Sequence, residues 1–462
     1  MMRVWILLFG FCAAPVFGQL PAATQTSIDE TVAKLLAKTR VPSASIAVVK
    51  DGKTAYVRTY GDARVDPKIP ARPEMRYKIA SNSKQIAATA VLLLAEQNKI
   101  SLDDTVARFL PQLTEARKVT IRQLLSHTSG YQDYYPLDYV APFMTAATTP
   151  QHILDVWAKK ALDFEPGSQW QYSNTNYVII GQIIEMITGK PLIDFLRTSI
   201  FEPLGMRTPI DVGREEWSKS DPVGYTTYGL GPARAVQVEG NGWMYAAGEL
   251  AMTASDLARW DISLMNGTVL KPASRKALST EVELTSGVGT RYALGLQVST
   301  LDGHRRWAHS GGAAGFFSHN ATFPDDKISV TVLTNGEDGA SVQIEHAIEH
   351  LMLAPVTDPQ AGPSLKHARQ IFLGLQKGHL EETLVTSDLR AYFTPQAIAD
   401  FSASLGPLGT PSAFSQVASE ERGGMTTRTF LIQTSSKSLS LSTYIMPDGK
   451  FAQFLVSPAA NP

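Results

Sequence analysis

The chain has almost no cysteine: one, Cys12, in 462 residues. Disulfide frameworks and thiolate zinc sites are therefore excluded. There is no charge bias either, since the formal net charge is −1. That removes the basic footprint expected of a nucleic-acid binder and the lysine/arginine run expected at an anionic membrane. The chain has no apolar run of the roughly 20 residues needed to span a bilayer. It has no H-E-x-x-H pair, and no metal and no cofactor is expected. A G-x-S-x-G elbow is absent too, which argues against a serine–histidine–aspartate triad built around His127, leaving that residue as a structural loop histidine.

At 44% hydrophobic and 18% charged residues, the chain is globular and long enough for two domains. Residues 1–18 read as a secretory signal peptide: Arg3 precedes an apolar run, 4–17, and Val16 and Gly18 fit a small-residue cleavage site. Cleavage there would remove Cys12, and the bulky Phe11 before it does not suit a lipoprotein signal. The expected location is outside the cytoplasm, periplasmic or secreted, with no membrane span after cleavage.

Ser81-Asn82-Ser83-Lys84 is the one place where a serine stands three residues before a lysine. On a helix that spacing puts hydroxyl and amine on one face, a turn apart. The helix expected at 86–97 is apolar nearly all round, so its start should be buried. Burial and the positive helix end both disfavour an ammonium, leaving a neutral amine that can take the hydroxyl proton. Against this stands the ordinary role of a serine at a helix start, which is capping. Two further unique triplets follow, Tyr172-Ser173-Asn174 and His309-Ser310-Gly311, the second continued by Gly312.

In these three elements the chain resembles the class C β-lactamase and penicillin-binding-protein-like serine hydrolases. The resemblance runs over about 31–352. It includes Tyr77-Lys78-Ile79-Ala80, the stretch from Ile121 to Gly130 (IRQLLSHTSG), Pro166-Gly167, Asn176-Tyr177, and Ala254 to Trp260 (ASDLARW). It implies Ser81 as nucleophile, Lys84 as base and Tyr172 as proton relay. Asn174, His309 and Gly311 would stand against the substrate, and the backbone N–H groups of Ser81 and Gly312 would form the oxyanion hole. The family's β-lactamases and DD-peptidases carry lysine where this chain has His309. A histidine is mostly neutral at pH 7, which favours esters or amides without a carboxylate at that point.

The expected fold is α/β: a β-lactamase/transpeptidase-like mixed antiparallel sheet flanked by helices, with an all-α region. Residues 19–354 form this hydrolase domain. The sheet draws on strands at 45–49, 55–59, 294–298, 305–308, 319–323 and 328–333. Helices are expected at 31–39, 177–187 and 192–200. A proline-rich linker, 355–364, leads to a small α+β accessory domain, 365–462, with helices at 365–375 and 381–393 and three strands. A lid, a specificity module or a pairing surface all suit it, and the oligomeric state is left open.

The expected function is an exported serine hydrolase acting through an acyl-enzyme on a small ester or short peptide amide, perhaps one carrying a D-residue. The alternatives are a DD-peptidase or β-lactamase and, from another class, an inactive binding module. The expected partner is a small-molecule or peptide substrate.

Overall fold

A computed structural model describes residues 19–336, 339–354, 358–422 and 424–459. The expected signal peptide, 1–18, lies outside the described residues, as do 355–357 of the expected linker.

Strand Ser43–Lys50 shows how the main sheet forms. It is buried at every position but the last, on both faces. Ile46 and Val48 face helices Ala22–Thr39 and Ala340–Met352, meeting Ile28, Val32, Ile344 and Ile348. Ala47 and Val49 point the other way, into the main core. A near-continuous apolar strand of this kind needs a layer on each side.

Seven strands run in the order Ile69–Pro70, Lys53–Arg64, Ser43–Lys50, Ile328–Thr334, Phe316–Phe323, His304–Ala313 and Gln297–Leu301. Each pairing is antiparallel. The two ends of the domain sequence thus meet at the centre, where Ser43–Lys50 pairs with Ile328–Thr334. The expected strand 294–298 is displaced to Gln297–Leu301. Its first residues form a tight turn, in which Ala293 N donates to Leu296 O at 2.8 Å. Gly295 allows this turn with φ +75, and a Cβ there would lie 2.7 Å from the Lys84 carbonyl.

Helix Ser83–Glu96 is buried almost throughout and forms the centre of the helical region, against Asn174–Thr188. The expected helix 192–200 is α-helical over Leu192–Leu196 and then widens into a π turn, Arg197–Phe201. A small ribbon not foreseen from the sequence joins Tyr77–Lys78, Leu250–Met252 and Ile210–Asp211. It delivers the chain to Ser81.

After residue 358 a separate core gathers Ile371, Phe372, Phe430, Leu441 and Phe451. It has four antiparallel strands rather than three: Ala413–Arg422 precedes Met425–Gln433, Ser438–Ile445 and Phe451–Pro458. Helix Ala361–Gln376 begins inside the stretch read as linker. The helix expected at 381–393 is broken into Glu382–Leu384 and Ser387–Tyr392, because Val385 bridges to Phe451 and Thr386 caps a new helix start. A third helix, Pro395–Leu405, follows. Among the described residues no helix is long and apolar enough to cross a membrane.

Candidate active site

The turn that carries Ser81 is clamped from two sides. Ile79 N donates to Leu250 O at 3.0 Å on the ribbon side. On the sheet side Ser318 Oγ donates to Ile79 O at 2.7 Å and accepts from Asn82 Nδ2 at 2.8 Å. Between them Ala80 is forced to φ +46, a left-handed conformation uncommon for a residue with a side chain. Strain of this kind persists only where surrounding contacts over-determine it. Gly311 brings the neighbouring strand against the turn. A Cβ on it would lie 2.1 Å from Ile79 O and 2.9 Å from Ser81 N, so only glycine permits this approach. Gly312, next along, is exposed and edges the cleft.

Lys84 is fully buried in the first turn of helix Ser83–Glu96. Its amine lies 2.9 Å from Ser81 Oγ, 2.9 Å from Asn174 Oδ1 and 2.5 Å from the Ala247 carbonyl. Burial lowers its pKa to about 7, against the weaker opposing pull of Asp133 and Glu249. A neutral amine beside a hydroxyl can accept its proton.

Against the opposing effect of the neighbouring Ser81 side chain, burial raises the pKa of the Tyr172 hydroxyl above the ordinary phenol value. Its ring centroid lies 5.0 Å from Lys84 Nζ and 4.2 Å from the His127 ring. Hydroxyl, amine and phenol therefore meet, although they come from separate chain segments. His127 lies against Tyr172 as a packing element. Its Nδ1 accepts from Ser173 N at 3.1 Å and its Nε2 has no hydrogen-bond partner, so neither ring nitrogen reaches Ser81.

Asn174 is held by an acid that sequence reasoning missed. Asp133 accepts from its backbone N at 2.9 Å and from Nδ2 at 3.2 Å, which turns Oδ1 toward Lys84. His309 likewise has an unforeseen partner. Its Nδ1 lies 2.6 Å from Ser310 O, an atom that only accepts, so the ring proton sits there. Nε2 then accepts from the Tyr292 hydroxyl at 2.8 Å. Burial, helped by Lys84, pushes the His309 pKa down to about 3, so the ring is neutral. Asp133 and Tyr292 are single residues in loops, and no spacing in the sequence marks them.

Outside this site, Glu345, His346 and Glu349 place ligand atoms within 4.8 Å of one another. Arg306 donates to both carboxylates at 2.7 Å, so a cation already balances the cluster.

The Beta-lactamase family profile matches residues 28–352, most of the chain. The chain belongs to the beta-lactamase family. Penicillin-binding protein 4* of Bacillus subtilis (strain 168) is 27% identical to it over 393 residues, covering 79% of this chain and 85% of that protein. Among solved structures, the D-stereospecific amidohydrolase from Streptomyces sp. superposes with a TM-score of 0.59 at 29% identity. That match covers 70% of this chain and 98% of the amidohydrolase. The octameric penicillin-binding protein homologue from Pyrococcus abyssi superposes with a TM-score of 0.63 at 20% identity, over 94% of this chain and 99% of that one. Its likeness extends across the C-terminal unit and speaks to fold. This beta-lactamase family member is thus a serine hydrolase related to penicillin-binding proteins and D-stereospecific amidohydrolases.

Proposed function

We propose that the protein is an exported hydrolase that forms an acyl-enzyme on Ser81, acting on a small ester or a short peptide amide, including one with a D-residue. The observation that carries this reading is the buried amine of Lys84, its pKa lowered to about 7, at 2.9 Å from Ser81 Oγ. Lys84 takes the Ser81 proton as Oγ attacks the carbonyl carbon. The oxyanion is held by the backbone N–H groups of Ser81 and Gly312, a contribution of about 3 kcal/mol per donor in comparable sites. Tyr172 passes the proton to the leaving group, and a water then reverses the sequence to release the acid.

The substrate class follows from charge. His309 is neutral with both ring nitrogens engaged, so the strand offers no fixed cation for a substrate carboxylate. The Asn174 side chain lies ready to meet the acyl group. Export is supported by Arg3 and the apolar stretch after it. The kinship with penicillin-binding protein 4* supports a second reading, a DD-peptidase or β-lactamase.

One panel separates these. The protein is assayed on an activated ester, a D-aminoacyl amide, a D-Ala-D-Ala peptide and nitrocefin, with intact-mass detection of the acyl adduct. Ester or amide turnover, with an adduct absent from Ser81→Ala, is the expected result. Dominant nitrocefin or D-Ala-D-Ala turnover selects the second reading, and full activity in Ser81→Ala sinks both.

A further inference from the structure

Helix Ala340–Met352 covers the face of the main sheet opposite the helical region that holds Lys84. It carries His346-Ala347-Ile348-Glu349-His350, an H-x-x-E-H run. That is the inverted form of the zinc-binding helix spacing, with two histidines four residues apart. At this spacing the two side chains stand on one helix face, about 5–6 Å apart at Cβ. The His346 side chain is 54% exposed and that of His350 60%, so solutes reach both rings.

Each ring has a carboxylate beside one nitrogen. Glu345 Oε2 lies 3.6 Å from His346 Nε2, and Asp302 Oδ2 lies 3.7 Å from His350 Nδ1. Metal-bound histidines lean their second ring nitrogen on such a group, which fixes the tautomer and strengthens the first nitrogen as a ligand. The arrangement leaves His346 Nδ1 and His350 Nε2 for an ion.

Arg306 does not compete for this face. Its guanidinium takes Oε1 of Glu345 and Oε1 of Glu349, each at 2.7 Å. Glu345 turns its other oxygen to the histidines: Oε2 also lies 3.1 Å from His319 Nδ1, whose ring stands 6.5 Å from that of His346. Glu345 is fully buried, so it supports the ring from behind and is not itself an exposed ligand. Glu349, held by Arg306 and buried, is not placed as the general base of a metalloprotease. Only the ion-holding half of the motif is present.

The donors define the ion. Imidazole nitrogen suits zinc, copper and nickel, whereas magnesium and calcium take oxygen ligands. We propose that His346 and His350 form a surface site for one divalent ion of the zinc, copper and nickel type, with Asp302 as the positioning residue of His350. Water completes the coordination shell. Such an ion would tie the end of helix Ala340–Met352 to the 301–304 turn, and it would overturn the expectation of no metal drawn from the sequence. The inference goes beyond the function proposed for Ser81 and does not depend on it.

The test uses the full chain without a histidine tag, stripped with EDTA, at about pH 7.5, where a free imidazole is mostly neutral. Calorimetry with zinc should show saturable one-to-one binding that excess magnesium leaves unchanged. His346→Ala and His350→Ala alter exposed helix positions, where alanine is the best helix former, and each should abolish saturation with circular dichroism unchanged. Asp302→Asn should weaken binding by about tenfold, the cost of removing an outer-shell partner. Copper in place of zinc should give an electron paramagnetic resonance spectrum split by imidazole nitrogen, lost in either alanine variant. No saturation by zinc, saturation kept in His346→Ala or His350→Ala, competition by magnesium, or a copper spectrum without nitrogen splitting would each overturn the proposal. Unchanged affinity in Asp302→Asn would overturn the part given to Asp302. Acylation of Ser81 bears only on the function proposed above.

Discussion

Lys84 is the residue whose environment decides most about reactivity. With its pKa lowered to about 7 by burial, kcat/KM on an ester should rise with pH through that value and level off above it. Lys84→Arg keeps a permanent charge at the same place and should cost about 10²–10⁴ in kcat/KM, the usual contribution of a positioned base. The same residue leaves a mark on stability. The unfolded chain holds a proton on Lys84 up to its ordinary pKa of 10.5, and the folded chain releases it near 7. The unfolded state therefore binds more protons between these values, and folding stability from this group rises with pH across that window. Denaturant unfolding of Lys84→Met and parent, compared from pH 6 to pH 10, should show the stability of the parent relative to the variant rising with pH. Tyr292 supports the opposite wall of the cleft. Tyr292→Phe removes the donor to His309 Nε2 and should lower kcat/KM by about tenfold or less, in line with one neutral hydrogen bond.

At the scale of elements, the site depends on how closely the 304–313 strand approaches the Ser81 turn. Gly311→Ala forces a Cβ to within 2.1 Å of Ile79 O, so strand or turn must shift. Gly312→Ala meets only the Phe317 ring, at 3.2 Å. Displacing reacting groups by about an ångström costs on the order of 10² in rate. Gly311→Ala should therefore lose about that factor in kcat/KM with its circular dichroism unchanged, and Gly312→Ala should lose clearly less. Comparable losses would show that close approach is not what Gly311 provides.

Much of this was legible in the sequence and some was not. The helices around Ser83–Glu96 and Asn174–Thr188 announced themselves as long apolar segments, and the 43–64 hairpin by its turn. Ser81 and Lys84 could be singled out because their spacing is itself the signal, and Tyr172, Asn174, His309 and Gly311 only through the family resemblance that their triplets carry. Asp133, Tyr292 and the Ala247 carbonyl could not, since they join the site only through folding and stand in no periodic pattern. Strand Ala413–Arg422 escaped for another reason: it is rich in Ser, Glu and Gln, and its place in a sheet comes from pairing with Met425–Gln433.

At the scale of the whole molecule, the C-terminal unit touches the hydrolase sheet beside the site. Glu421 N donates to Thr300 Oγ1 at 2.8 Å, and Glu420 forms an ion pair with Arg291, the residue before Tyr292. Both members of that pair are about one-third exposed, which limits its worth to about 1 kcal/mol or less. Glu420→Arg should therefore change kcat/KM by no more than about fivefold on an ester. A far larger fall, with the melting temperature unchanged, would mean that the hairpin 413–433 holds Tyr292, and through it His309, in place.

The three neighbours of the Lys84 nitrogen have one more consequence. An uncharged amine owns two hydrogens and a single lone pair. The Ala247 carbonyl and Asn174 Oδ1 can only receive hydrogens, and Asp133 keeps Asn174 from turning its amide around. Those two acceptors claim both hydrogens, so the lone pair is left facing Ser81. Once the amine has lost its proton, in a fraction of molecules that grows as pH rises through about 7, the serine's own hydrogen points at nitrogen before any substrate arrives.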